Sequence, residues 1–382
     1  MFKHISFKGD KVIWMVVGIL SVFSALAVYS STETLAYKFQ EGNTIYYVLK
    51  HTMLLFAGIG LMLLTHNIKY TYYSRVAQIL LYFSVPLLVF TLLKGTNLNE
   101  ASRWITLPVI NLSFQSSDLA KLALIMYIAR VLAKKQDHIK EFKGAFVPIM
   151  IPIILTVVFI LPANFSTAAV LFATSLVLLF VGRINLKYIF SLIGIGIALL
   201  IILFLIARTY PQILPRSETW ISRIENFMDK DSEGNYQVEQ SKIAIARGGI
   251  IGQLPGKSIQ KNFLPHPYSD FIFAIIVEEY GLLGASFVVL LYLILLMRAI
   301  KIATKVSGSF AAFLTIGLAF SLVFQGFINM GVAVNLLPVT GQPLPMLSMG
   351  GTSIWFTSIS IGIILSVSRE LEKNEEKEAQ NE

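Results

Sequence analysis

Long apolar runs separated by short polar joints make up most of this chain. The runs fall near residues 12–30, 46–66, 77–93, 117–133, 145–162, 164–182, 187–207, 270–297, 309–333 and 350–368. A membrane-spanning helix needs about 20 consecutive apolar residues, so each run is read as one span. The apolar residues are continuous rather than alternating, which excludes a membrane β-barrel. The expected fold class is therefore an all-α polytopic membrane protein with ten transmembrane helices in a single integral membrane domain over 1–382. Runs 270–297 and 309–333 exceed one span and are expected to be tilted or broken. The first run contains Ala25-Leu26-Ala27, which resembles a signal-peptidase site. Its length and the nine runs after it favour an uncleaved anchor.

Ten spans put both termini on one side. Basic residues choose that side, because Lys and Arg collect in cytoplasmic loops. With the termini inside, inner segments hold Lys3, Lys8 and Lys11 at the start, Lys134, Lys135, Lys140 and Lys143 midway, and Arg298, Lys301 and Lys305 later. The short outer loops hold only Lys38, Lys94 and Arg103. Both termini are thus expected in the cytoplasm, with 369–382 a solvated, fraying cytoplasmic tail. Parity places the 208–269 stretch outside as a large extracytoplasmic loop between spans seven and eight. Trp220, Ile221, Ile224, Phe227 and Met228 recur there at helical spacing, which predicts a short helix lying either in the membrane interface or as an amphipathic strut.

Composition agrees: 55% of residues are hydrophobic, 14% are charged, and mean hydropathy is +0.70. A soluble chain carries roughly 25% charge. The net charge of +9 is accounted for by the inner loops rather than by nucleic acid. There is no cysteine, hence no disulfide, thiol nucleophile or thiolate metal site.

Four polar or glycine-proline clusters stand at span ends, all on the outer side by parity. Gln115-Ser116-Ser117-Asp118 precedes Lys121, and Asp118 and Lys121 share one helix face. The two form either an internal ion pair or a cation awaiting an anionic substrate. Asn164-Phe165-Ser166-Thr167 opens span six. Asp270 opens span eight as either a capping carboxylate or a general base. Glu278 and Glu279, two turns deeper, are read as structural hydrogen-bonding groups. Ser348-Met349-Gly350-Gly351-Thr352-Ser353 opens span ten as either a tight turn or a phosphate-binding helix start. His266 stands alone, so no zinc site is expected. Together these residues suit a lipid-phosphate substrate without naming it.

At these clusters the chain resembles the SEDS family of shape, elongation, division and sporulation proteins. The resemblance rests on Asn262-Phe263-Leu264-Pro265, on Ser269-Asp270-Phe271-Ile272-Phe273-Ala274 and on Glu278-Glu279-Tyr280-Gly281. Ala101-Ser102-Arg103-Trp104-Ile105 and the stretch from Asn329 to Gly351 extend it. Residues Gly252 to Lys261 are more similar to the cell-division branch than to the rod-elongation branch. The resemblance implies a peptidoglycan glycosyltransferase in the bacterial cytoplasmic membrane, at the division septum. Such an enzyme polymerises lipid II, a disaccharide-pentapeptide on undecaprenyl diphosphate, beside a class B penicillin-binding transpeptidase and other divisome membrane proteins. It also implies Asp270 as the catalytic residue. Substrate binding would fall to Lys121, Asp118, Arg103, Arg216, Arg247, Lys257, Lys261, Asn164, Thr167, Ser348, Gly350, Gly351, Thr352 and Ser353. Mg2+ or Mn2+ suits the diphosphate chemically, and no motif marks a site for either. No organic cofactor is expected. The chain departs from the family pattern at Asn164 (commonly Asp), Ser116 (Pro), Asp118 (Glu), Asn335 (Gly) and His266-Pro267-Tyr268-Ser269. A lipid-linked precursor flippase and a non-catalytic division scaffold stay open as other classes.

Overall fold

The computed structural model describes residues 8–98, 101–107, 112–209, 217–228 and 236–381. Thirteen α-helices occur among them: α1 Lys11–Ser31, α2 Glu33–Phe39, α3 Thr44–Asn67, α4 Tyr70–Lys94, α5 Ser116–Lys134, α6 Val147–Ile160, α7 Phe165–Val181, α8 Leu186–Thr209, α9 Ser217–Met228, α10 Tyr236–Gly248, α11 Ile272–Lys305, α12 Ser309–Ala333 and α13 Gly351–Asn381. Every apolar run is helical. Among the described residues eight of the helices are long and apolar enough to cross a membrane alone, α6 together with the π-helical turn Phe142–Phe146 that leads into it. Two of the ten expected spans fall short for identifiable reasons. α5 carries Asp118, Lys121 and Arg130 inside its length, and α7 has only 17 residues, about 26 Å at the α-helical rise.

The expected loop 208–269 is more structured than its polarity suggests. The predicted amphipathic helix is present as α9. A second helix, α10, follows it. The stretch after α4, read only as an outer joint, contributes three strands that form an antiparallel sheet: β1 (Thr96–Leu98), β2 (Ala101–Leu107) and β3 (Leu112–Gln115). Trp104 of β2 pairs with Gln115 of β3, the residue before α5.

The chain divides into two compact units. The first comprises 1–67, 226–299 and 322–382, and the second 68–225 and 300–321.

In the first unit, Asp10 caps α1, its carboxylate accepting from the amides of Val12 and Ile13 at 3.0 and 3.1 Å. Its other oxygen pairs with Arg298 at 2.5 Å. α13 continues thirteen residues past the predicted end at 368 because its acidic face has partners. Glu372 accepts from the Gly9 amide at 2.5 Å, and Glu376 pairs with Lys8 at 3.2 Å. The tail is helical and tied at these two glutamates, while residues 374–380 are exposed. α3 and α13 approach closely through glycines. A Cβ on Gly58 would stand 2.7 Å from the Ser358 hydroxyl, and one on Gly362 would overlap the Thr65 hydroxyl.

α11 is broken, as its length predicted, at Gly281 (φ 67°, ψ −168°). Only glycine adopts this region without strain. A Cβ there would also overlap the Ile250 carbonyl, so the loop backbone lies directly against the break.

In the second unit, α5 is gripped through Arg130, whose guanidinium donates to the Ser74 carbonyl and to Gln78 on α4. Gly317 of α12 admits Ile125 and Leu178 against its backbone.

Candidate functional site

The segment from Gly341 to Met349 holds Pro343 and Pro345 and little regular structure. Such a segment cannot satisfy its own carbonyls, and buried ones need partners. Polar side chains within the surrounding helices supply them. Asn329 of α12 donates to the Gln342 carbonyl at 2.7 Å, and Gln325 to that of Pro343 at 3.0 Å. Tyr292 of α11 donates to the Pro345 carbonyl. Ser24 of α1 donates to the Leu347 carbonyl at 2.9 Å and contacts His51 Nε2 of α3 at 2.7 Å. One hydroxyl has one proton to give. Ser24 must therefore accept from His51, which fixes the proton on Nε2.

This braced segment holds the turn that presents Asp270. Ser348 accepts from the Leu344 amide at 2.8 Å and donates to the Ser269 carbonyl at 2.7 Å. The Met349 amide donates to the Tyr268 carbonyl at 2.8 Å. The second amide hydrogen of Asn329 reaches the Asp270 carbonyl at 2.9 Å. The backbone around Asp270 is thus fixed from two sides.

Asp270 itself is half-buried. Its Oδ1 accepts from the Ser269 hydroxyl at 2.8 Å. Among the described residues no first-turn amide of α11 bonds to its carboxylate, and α11 begins two residues later. The capping role left open by the sequence is therefore not the one it plays. Oδ2 faces Gly341, 3.5 Å from where a Cβ would stand. Tyr268 lies beside it. Burial, then the Asp270 charge, then Tyr47 raise the Tyr268 phenol above its ordinary range. His266 (φ 55°) contacts the Tyr268 hydroxyl through Nδ1 at 3.2 Å. Gly350 and Gly351 open α13 half-buried, Thr352 is buried and Ser353 half-buried.

Two of the cations expected to bind substrate are engaged elsewhere. Arg247 meets the fully buried Glu278 at 3.5 Å. Lys261 is buried, pairing with Glu33 at 2.5 Å and donating to the Gly256 carbonyl at 2.9 Å. Both cations thus have carboxylate partners, Lys261 out of solvent and Arg247 with its side chain still 40% exposed. Lys257 is exposed. Arg216 lies outside the described residues, as does the side chain of Arg103 on β2. Glu278 also accepts from the amides of Ile259 and Gln260 at 3.1 and 3.2 Å and from the Ser258 hydroxyl. Glu279 accepts from Ser30. The structural role expected for both glutamates is what the geometry gives them.

In the second unit, Lys121 and Asp118 pair at 3.7 Å on the first turns of α5, both largely buried. Ser116 and Ser117 line a small cleft with Thr91, Phe159 and Asn164. Asn164 caps α7, accepting from the buried Thr167 amide at 3.1 Å. Asn and Asp cap equally well, so the departure at this position keeps the structural job.

Ser24, His51, Tyr292 and Gln325 were not singled out in the sequence, and Asn329 was named only as the start of a stretch resembling the family. Each is a polar residue inside an apolar run rather than at its end, and that placement is the signal that marks them.

A sequence family described as "Cell cycle protein", that of FtsW, RodA and SpoVE, matches residues 10–373. The chain belongs to this family. The match contains Asp270, Asp118, Lys121 and every brace just described. Among similar proteins is a probable peptidoglycan glycosyltransferase FtsW of Geobacter sp. (strain M18), 34% identical over 94% of this chain and 96% of the relative. Stage V sporulation protein E of Bacillus subtilis (strain 168) is 32% identical over 93% of this chain and 94% of its own. Solved structures agree in fold. A chain of a peptidoglycan synthase complex that coordinates polymerization and crosslinking aligns with TM-score 0.75 at 23% identity, covering 95% of this chain and 98% of that one. Rod shape determining protein RodA of Thermus thermophilus aligns with TM-score 0.69 at 23% identity, covering 95% and 97%.

Proposed function

We propose that this chain is a peptidoglycan glycosyltransferase of the FtsW kind. It polymerises lipid II into β-1,4 glycan strands at the outer face of the cytoplasmic membrane, at the division septum, beside a class B penicillin-binding transpeptidase and other divisome membrane proteins. The names of its relatives and its membership of the family support the reaction class. The topology that goes with this reading has ten spans, both termini inside and 208–269 outside.

The observation that carries the chemistry is Asp270. Its carboxylate is held by a doubly braced turn, accepts one hydroxyl and caps no helix. Lipid II carries an α-linked diphosphate, and β-linked product requires inversion at the donor carbon. A single in-line displacement needs a base for the acceptor hydroxyl and positive charge for the departing diphosphate. Asp270 takes the proton. Lys121 is the proposed cation. A divalent cation enters this reading only as a counter-ion arriving with the diphosphate, where it would neutralise charge. Among the described residues no group of three or more His, Asp or Glu could hold one, and no step is routed through it.

The test is polymer formation from purified lipid II in detergent, where flipping has no meaning. Wild-type protein yields polymer, and Asp270→Asn reduces the rate by at least about 100-fold, the lower bound for losing a general base. Thermal stability of the variant stays near wild type, because Asn still accepts from Ser269. Absence of polymer from the wild type favours the flippase or scaffold readings. Near-normal polymerisation by folded Asp270→Asn removes Asp270 from the mechanism.

A further inference from the structure

A broken helix within a membrane frees backbone groups that hydrocarbon cannot satisfy. At the Gly281 break the extracytoplasmic segment supplies their partners. The amides of Gln253 and Leu254 donate to the carbonyls of Glu278 and Glu279 at 2.9 and 3.0 Å. The amides of Leu282 and Leu283 donate to the carbonyls of Gly249 and Ile250 at 2.9 and 3.2 Å. The 249–254 turn is thereby grafted onto α11. With these four bonds made, irregular backbone becomes tolerable at membrane depth.

Apart from Gln253, whose side-chain amide turns back to donate to the Arg247 carbonyl at 2.6 Å, the side chains of this turn are apolar and uncovered. Ile250, Ile251 and Leu254 are exposed, Ile251 at 75%. They adjoin exposed Leu282 and Leu283, from which Phe287, Leu290 and Met297 continue the same kind of surface along α11. The turn therefore extends the apolar surface that a membrane-spanning helix shows to lipid.

Two rulers within the first unit give its depth, both starting at the Asp10–Arg298 ion pair. Along α1, Ser30 stands twenty residues from Asp10 and donates to Glu279, a rise of about 30 Å. Along α11, Gly281 stands seventeen residues from Arg298, about 25 Å. The hydrocarbon core is about 30 Å thick. With the ion pair taken as the near boundary, the first ruler ends at the far boundary of that core and the second about 5 Å short of it. Lys257 and the Lys261–Glu33 pair follow on the polar side of the turn.

We propose that the 249–254 turn is a membrane anchor, with Ile250, Ile251 and Leu254 seated among lipid acyl chains at the boundary with the headgroups. It holds the segment leading to Asp270 against the membrane surface. The proposal does not depend on the catalytic reading.

The test uses the absence of native cysteine. Ile251→Cys and, as an aqueous reference, Lys242→Cys are labelled with the fluorophore NBD. The full chain is reconstituted in phosphatidylethanolamine/phosphatidylglycerol vesicles containing lipid with a nitroxide at acyl carbon 5 or 12. Both positions are exposed, so folding is preserved and is checked by unchanged thermal unfolding. The anchor predicts blue-shifted emission at Ile251 and at least about twofold stronger quenching by the shallow nitroxide than at Lys242, as for apolar groups seated 5–10 Å into the interface. Water-like emission without lipid quenching would overturn it. A blue shift without lipid quenching would also overturn it, assigning the turn to a protein partner or a second copy. Ile250→Cys provides an independent repeat.

Discussion

Gly281→Ala isolates the graft between α11 and its loop. The new Cβ would sit at φ 67°, ψ −168°, a backbone region costing about 1–3 kcal/mol for any other residue. It would also overlap the Ile250 carbonyl and approach the Gly252 amide nitrogen to 2.6 Å. Neither contact can yield without moving backbone. Displacing the turn breaks the bonds from Leu282 to Gly249 and from Leu283 to Ile250, each worth about 0.5–1.5 kcal/mol net. The expected loss is about 4 kcal/mol, equivalent for a chain of 382 residues to a Tm roughly 5 °C lower. Thermal unfolding of the purified protein in detergent, followed by tryptophan fluorescence, measures it. Gly18→Ala is the control. Gly18 lies within α1 with open space around it, so alanine there is neutral or stabilises by up to about 1 kcal/mol. Gly252→Ala meets the Glu279 carbonyl across the same junction, so the double variant should be scarcely worse than either single one. A Gly281→Ala midpoint within about 2 °C of wild type would refute the reasoning, because both the strain and the displaced bonds would then be absent.

The remaining predictions concern topology and charge. A cysteine at Lys242, exposed on α10, should react with an impermeant thiol reagent in spheroplasts; labelling only after lysis would reverse the sidedness argued from basic residues. Lys121→Met should abolish lipid II polymerisation while folding persists, and Asp118→Asn/Lys121→Met should stay inactive. Recovery of activity in that double variant would mean the pair is a buried structural tie, since removing both partners leaves no uncompensated charge.

The helices were legible because each apolar run is long and ends in charge or glycine-proline. α9 was legible from five apolar residues at helical spacing. The sheet after α4 was not, since strands this short carry too few residues for a period to emerge. α10 was missed because its apolar residues Val238, Ile243 and Ile245 are few among polar ones. Within the candidate site, Asp270 and the Asp118–Lys121 pair stood out as charges at the edges of apolar runs. The braces did not, because each is a bond between residues far apart in sequence: Ser24 with Leu347, Asn329 with Asp270, Ser30 with Glu279. The ion pairs of Arg247 and Lys261 were hidden for the same reason. A basic residue in a polar loop looks uncommitted until its carboxylate partner, Glu278 or Glu33, is found elsewhere in the chain.

The glycine contact between α3 and α13 sets an order of events during synthesis. Gly58 packs on Ser358, so α3 enters the membrane about 300 residues before the helix that covers it, a wait of about 15–60 s at ordinary translation rates of 5–20 residues per second. Until then the small-residue face of α3 and the carboxylate-binding amide of Gly9 have no α13 to receive them. The second unit is completed by a segment ending at Ser321 and can close earlier. A ribosome halted before residue 351 would release a chain whose first helices are inserted but unlatched, and whose candidate active-site turn lacks the helix that follows it.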